Sequence, residues 1–309
     1  MLCDDQEILQ LMIEEARTYT GEGQVASYIP ALAEADPSVL TLAIYDGGET
    51  CAAVGNTEET FTLQSISKVL SLALALMDRG EDEVFSRVGM EPTGDPFNSI
   101  IKLETHRPNK PLNPMINAGA LAVTSMISGA STSEKLGRLL TFIHELTENP
   151  DIHYDEHVAQ SELRTADLNR SLAYFMRQHN VFDDEVEDLL DLYTKQCAIK
   201  VSSQDLAKIG YVIANEGKHV QSRRQIIPLH IARILKTFMV TCGMYNASGE
   251  FAIRVGIPAK SGVSGGIMAS IPHGQGIGIY GPALDDKGNS IAGMKLLEAL
   301  SHRYDLSIF

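Results

Sequence analysis

Ser65 and Lys68 stand three residues apart in Thr62-Leu63-Gln64-Ser65-Ile66-Ser67-Lys68, at the opening of an apolar stretch that runs to Gly80. On a helix, residues at that spacing are neighbours on one face, roughly 5–6 Å between Cβ atoms. Serine is a weak nucleophile until a base takes its proton, and lysine is that base only when its pKa is pulled down. Burial disfavours the ammonium, and so does a second cation close by. A helix N-terminus adds a positive field that favours negative charge developing on the hydroxyl. The pattern fixes two positions in four, so chance matches are expected in a chain of this size and support must come from elsewhere.

That support lies near the other end, in Ala259-Lys260-Ser261-Gly262-Val263-Ser264-Gly265-Gly266. A second Lys-Ser pair followed by glycines reads as a strand end. Glycine lets backbone N–H groups approach a ligand, which is how an oxyanion hole is built. Ser-x-x-Lys on a buried helix plus Lys-Ser-Gly on a strand is the arrangement of serine acyl-transfer enzymes in the penicillin-recognising group.

The elements that must position these residues are legible from periodicity. Val69, Leu70, Leu72, Ala73, Leu76 and Met77 recur at helical spacing over 62–80, apolar nearly all round, which predicts a buried helix ending at Gly80. Residues 7–20 predict an amphipathic first helix. Strands are expected over 39–45, 49–54 and 60–63, the first closed by a turn at Asp46-Gly47-Gly48. Residues 82–114, rich in Pro, Gly and Asn, read as a long ordered loop. Asn117 opens a small-residue helix through Ile127, where its amide either donates and accepts toward a ligand or closes a turn. Further helices are expected over 133–146, 156–176, 185–196, 203–215 and 228–242. On the second of these, Glu162 and Asn169 would share a face two turns apart. Residues 251–257, 266–271 and 276–280 predict three late strands, and 291–304 a closing helix.

Strands at both ends and helices between imply an α/β (α+β) fold: one antiparallel sheet flanked by terminal helices, plus an all-helical subdomain. The boundaries follow as 1–64 with 243–309 for the sheet unit and 65–242 for the helical unit, the active site lying at their interface.

Composition narrows the function. A chain of 309 residues, 44% hydrophobic and 21% charged, has an ordinary globular balance and a sizeable core. Its net charge of −15 argues against binding nucleic acid or an anionic membrane surface. The densest acidic run, 183–188, reads as a solvated helix face. Cys3, Cys51, Cys197 and Cys242 lie far apart, which fits free thiols in a reducing compartment. The acidic N-terminus and the lack of a membrane-length apolar run point to a soluble cytoplasmic protein. His153 and His157 have helical ligand spacing but no third ligand with them, so no metal is expected.

Over nearly its whole length the chain resembles the serine-dependent, bacterial-type glutaminases. The resemblance rests on Ser-Tyr-Ile-Pro at 27–30, Gln-Ser-Ile-Ser-Lys at 64–68 and Asn-Pro-Met-Ile-Asn-Ala-Gly-Ala at 113–120. It extends through Ser-Glu-Leu-Arg-Thr-Ala-Asp-Leu-Asn-Arg at 161–170, Cys-Gly-Met-Tyr at 242–245 and Gly-Ile-Pro-Ala-Lys-Ser-Gly-Val-Ser-Gly-Gly at 256–266. It implies a β-lactamase/transpeptidase-like fold and an amidohydrolase that converts L-glutamine to L-glutamate and ammonia without a cofactor. It also implies a homodimer or homotetramer. By the same resemblance Ser65 is the nucleophile and Lys68 its base. Asn117, Glu162, Asn169, Tyr193, Tyr245 and Val263 hold the substrate, Ser65 and Val263 through the backbone N–H groups of the oxyanion hole. Tyr28 falls at a family active-site tyrosine. Tyr28 and Tyr245 are both candidates to carry a proton to the leaving nitrogen, with Lys260 helping to keep Lys68 neutral. Glu162 is given to substrate binding, not to deacylation as a β-lactamase analogy would have it.

Two other readings compete. One is a β-lactamase or cell-wall peptidase, which would need an export signal and would hydrolyse a chromogenic cephalosporin. The other is a non-catalytic amino-acid-binding module, which would bind glutamine without releasing ammonia.

Overall fold

The computed structural model describes residues 5–48, 52–96, 98–105, 109–219, 221–271 and 274–309. Cys3, Cys51 and the start of the strand expected over 49–54 lie outside the described residues.

In chain order the helices are α1 (Gln6–Arg17), α2 (Ser67–Arg79), α3 (Glu81–Arg87), α4 (Ile101–Thr105), α5 (Asn117–Ser125), α6 (Thr132–Thr147) and α7 (Glu156–Arg164). They continue with α8 (Asp167–Gln178), α9 (Val186–Cys197), α10 (Ser203–Ala214), α11 (Leu229–Cys242), α12 (Ser248–Arg254) and α13 (Ile291–Tyr304). The strands are β1 (Thr41–Tyr45), β2 (Ala52–Gly55), β3 (Thr60–Thr62), β4 (Lys200–Ser202), β5 (Ala259–Ser261), β6 (Gly266–Ile271) and β7 (Gln275–Tyr280).

Among the described residues, five strands form one sheet in the order β2-β1-β7-β6-β5, every pair antiparallel. Both ends of the chain build it, as expected. Strand β7 shows how its two faces are set. Ile277 and Ile279 point into the core shared with Leu9 and Ile13 of α1 and Leu296 and Leu300 of α13. Gly276 and Gly278, on the opposite face by the period of two, admit α10. A Cβ on Gly276 would lie 1.9 Å from the Ala207 carbonyl oxygen, and one on Gly278 1.9 Å from that of Ser203. So α10, from the middle of the chain, lies directly on the sheet. Beyond it a second, larger core surrounds α2, whose residues 67–76 are all buried.

Five expectations are corrected. Residues 251–257 are not a strand: 251–254 belong to α12. Phe251 and Val255, four apart, face inward while Ile253 is 89% exposed, and Glu250 and Arg254 pair at 3.0 Å across one turn. The apolar spacing at 251, 253, 255 and 257 imitates a strand, yet the helix wins through local pairing. The helix expected over 156–176 breaks at Thr165–Ala166, where the Thr165 hydroxyl donates to the carbonyls of Ser161 and Glu162 at 3.2 Å each. Residues 82–114 contain α3 and α4 and are no continuous loop; Glu83 and Arg87 pair within α3 at 3.1 Å. Finally, β3 leaves the main sheet and pairs with β4, which sequence reading did not predict. The helix expected from Thr62 begins as a 3-10 turn at Gln64–Ile66 and becomes α only at Ser67.

Candidate active site

Strand β3 delivers the chain to the turn that carries Ser65. The Leu63 N–H is tied to the Ile199 carbonyl at 2.8 Å, and Gln64 then takes a left-handed backbone at φ +47°. A non-glycine residue there costs about 1–2 kcal/mol, strain that the surrounding packing must hold. The turn presents Ser65 in a half-enclosed cleft, lined also by Tyr28, Gln64, Asn117, Glu162, Asn169, Tyr193 and Val263.

Lys68 lies one turn on, in α2, and is fully buried. Its Nζ donates to Asn117 Oδ1 at 2.7 Å and to the Met115 carbonyl at 3.2 Å. Burial pulls its pKa down to about 8, against the opposing fields of Cys197 and Glu162. Desolvation alone therefore brings this amine toward the neutral form a base requires. Asn117 is not the residue that closes the turn before α5. That work falls to Asn113, whose Oδ1 accepts from the N–H groups of Met115 at 2.9 Å and Ile116 at 3.2 Å. Asn117 is thus left to bridge Lys68 and Asn169, donating to Asn169 Oδ1 at 2.9 Å.

The break between α7 and α8 brings Glu162 and Asn169 to the same cleft from two helices. Glu162 is buried, and its Oε2 has no hydrogen-bond partner. Burial raises its pKa to about 7, opposed by hydrogen bonds from Gln64 and Cys197 and by the Lys68 charge. Tyr193, on α9, is wholly buried and held far above the ordinary phenol range by that burial. Tyr28 is 54% exposed at the cleft mouth, so it is not a packing residue.

Tyr245 follows α11 in a left-handed conformation, φ +53°, and is buried, with Ser65 among the groups that act on its hydroxyl. Burial raises its pKa. Lys260 on edge strand β5 does not line the cleft. Its Nζ lies 4.4 Å from the centre of the Tyr245 ring and donates to the carbonyls of Gly243 at 3.0 Å and Ser261 at 2.7 Å. Burial first, and then the Lys68 charge, hold it well below the ordinary lysine range.

The end of β5 reaches the Ser65 turn because residue 262 is glycine: a Cβ there would sit 2.5 Å from the Leu63 carbonyl oxygen. Among the described residues the Val263 N–H, next along the chain, makes no hydrogen bond. Several cleft residues escaped the sequence reading, among them Asn98, Thr165, Gln64 and Cys197. Gln64 precedes Ser65, and Cys197 falls one helical turn after Tyr193; both spacings were available as signals.

The fold and the cleft define a hydrolase-type site: a buried serine–lysine pair beneath a polar pocket with one unsatisfied carboxylate oxygen. A family model described as glutaminase matches residues 23–309, and the chain belongs to the glutaminase family. It is 67% identical over 303 residues to "Glutaminase 1" of Halalkalibacterium halodurans, covering 98% of each protein. A crystal structure of a probable glutaminase from Bacillus subtilis superposes with a TM-score of 0.93 at 43% identity, covering 99% of this chain and 98% of that one. The covalent complex formed when a Bacillus subtilis glutaminase reacts with 6-diazo-5-oxo-L-norleucine superposes with a TM-score of 0.88 at 42% identity, covering 97% of this chain and 98% of that one.

Proposed function

We infer that this protein is a glutaminase, hydrolysing L-glutamine to L-glutamate and ammonia through an acyl-enzyme on Ser65. The observation that carries the mechanism is Lys68: wholly buried, donating to neutral oxygens of Asn117 and Met115, and drawn down to about pKa 8 one helical turn from Ser65. Neutral Lys68 takes the Ser65 proton as the hydroxyl oxygen attacks the side-chain amide carbon of glutamine. The backbone N–H groups of Ser65 and Val263 receive the developing oxyanion. Collapse breaks the C–N bond, and ammonia leaves with a proton returned from Lys68. Burial of Tyr245, and the influence of Ser65 on its hydroxyl, favour it over the exposed Tyr28 as the relay. Water, deprotonated along the same route, attacks the ester and releases glutamate, and the Ser65 hydroxyl is restored.

The unpartnered Glu162 oxygen takes the substrate's α-ammonium, and the Asn117–Asn169 pair with Tyr193 takes its remaining polar atoms. That ion pair lowers the Glu162 pKa again, so substrate binding itself selects the carboxylate form. Lys260, beneath the Tyr245 ring, supports the tyrosine's placement. The covalent complex of the Bacillus subtilis relative supports a nucleophilic mechanism. Buried free thiols at Cys197 and Cys242 fit a reducing cytoplasm, and no helix among the described residues is long and apolar enough to cross a membrane. A dimer or tetramer is the assembly that the family resemblance implies.

Ser65→Ala tests the assignment. Its ammonia release from glutamine is expected to fall by about 10³-fold or more with the melting temperature unchanged; substantial remaining activity would refute it.

A further inference from the structure

Behind the nucleophile's turn lies a group that touches neither the cleft nor solvent. Gln196, near the end of α9, is fully buried. Its Nε2 donates to Ser67 Oγ and to Ser71 Oγ at 3.3 Å each, and its Oε1 accepts from Thr124 Oγ1 at 3.2 Å. Each serine passes its own proton on. Ser67 Oγ donates to the Gln64 carbonyl at 2.7 Å, and Ser71 Oγ donates to the Lys68 carbonyl at 3.3 Å.

The two carbonyls at the far ends of this network belong to the residues on either side of the chemistry. Gln64 immediately precedes Ser65 and holds the left-handed backbone; Lys68 carries the base. One side-chain amide therefore clamps both ends of the Ser65 turn against α5 and α9. The donor count fits only an amide at position 196. Both serine protons are committed to carbonyls, so the serines can only accept from it, while Thr124 needs an acceptor. A hydrophobic residue would suit the surrounding core as well, and burying an amide gains little stability by itself. What the amide adds is geometry, in a reaction where a displacement of about 1 Å costs about 10²-fold in rate.

We propose that Gln196 is a positioning residue for the reaction, setting the Ser65 turn and the Lys68 backbone through Ser67 and Ser71. The proposal rests on the assignment of Ser65 and Lys68 to the chemistry.

The test compares Gln196→Met, Ser67→Ala and Ser65→Ala in the full chain. Steady-state kinetics on glutamine, thermal unfolding and the rate of inactivation by 6-diazo-5-oxo-L-norleucine are measured for each. Gln196→Met is expected to keep KM within about twofold while kcat and the inactivation rate fall together by about 10- to 100-fold. Ser67→Ala, which removes one oxygen atom and decides the matter if Gln196→Met does not fold, is expected to move the same way by a smaller factor. The double variant should lose less than the product of the two, because both act through one network. A kcat within threefold of the unaltered enzyme for both single variants overturns the proposal, whatever the melting temperatures. A raised KM with unchanged kcat does the same. Activity persisting in Ser65→Ala overturns the nucleophile instead, whereas an inactive Ser65→Ala beside a fully active Gln196→Met overturns only the positioning role.

Discussion

Lys68 has exchanged water for one carbonyl and one amide oxygen, and its working range follows from that. With a pKa of about 8 it is mostly protonated at pH 7 and mostly neutral at pH 9. Because the base must be neutral, kcat/KM is expected to fall as pH drops through 8. Glu162, near 7, adds a second loss of the same sign below neutrality as its carboxylate is protonated. A pH–rate profile rising from pH 6 to pH 9 is the expected outcome. Lys68→Arg should remove the limb of that rise centred near pH 8, leaving the Glu162 limb below neutrality, together with about 10²–10⁴-fold of the activity, since a guanidinium does not deprotonate in this range. At this scale the sequence was most informative. Ser65, Lys68, Asn117, Glu162, Asn169, Tyr193 and Val263 are far apart in the chain; the two lysine–serine motifs pointed to the first pair, and the family resemblance to the others. Gln64 and Cys197 were passed over although their spacing to Ser65 and Tyr193 was visible, because it is the folded backbone that brings them to the cleft.

At the scale of elements, the site depends on the end of β5 lying against the turn that follows β3. Glycine at 262 is the condition for that approach, with the Leu63 carbonyl where a Cβ would stand. Gly262→Val should push the Val263 N–H away from Ser65 and lower kcat by about 10²-fold or more, the usual cost of losing an oxyanion donor. Steady-state kinetics with circular dichroism to verify folding would measure it. Long periodic segments such as α2, α6 and α13 could be read closely from sequence. The errors fell where period and local pairing disagree. Residues 251–257 alternate like a strand, but Glu250 and Arg254 pair as in a helix. The break at Thr165 has no proline or glycine to announce it, only a hydroxyl turned back on its own helix.

Across the whole molecule, one sheet joins the two ends of the chain, and α10 ties the middle of the chain to it. That contact is made by glycines on β7, so it tolerates no side chain. Gly276→Val should cost about 3 kcal/mol or more by overpacking, seen as a lower urea midpoint in equilibrium unfolding. The antiparallel sheet and its flanking helices were foreseeable from strand-rich ends around a helical middle. The pairing of β3 with β4 was not, since strands of three residues carry too little periodicity to show a partner some 140 residues away.

The nucleophile is the point on which all three scales converge, and the cleft offers one competing candidate in the thiol of Cys197. Reaction with 6-diazo-5-oxo-L-norleucine followed by peptide mass spectrometry identifies the attacking atom directly. A single adduct on Ser65 is the predicted result. An adduct on Cys197 or any other side chain, with Ser65 unmodified, would contradict it.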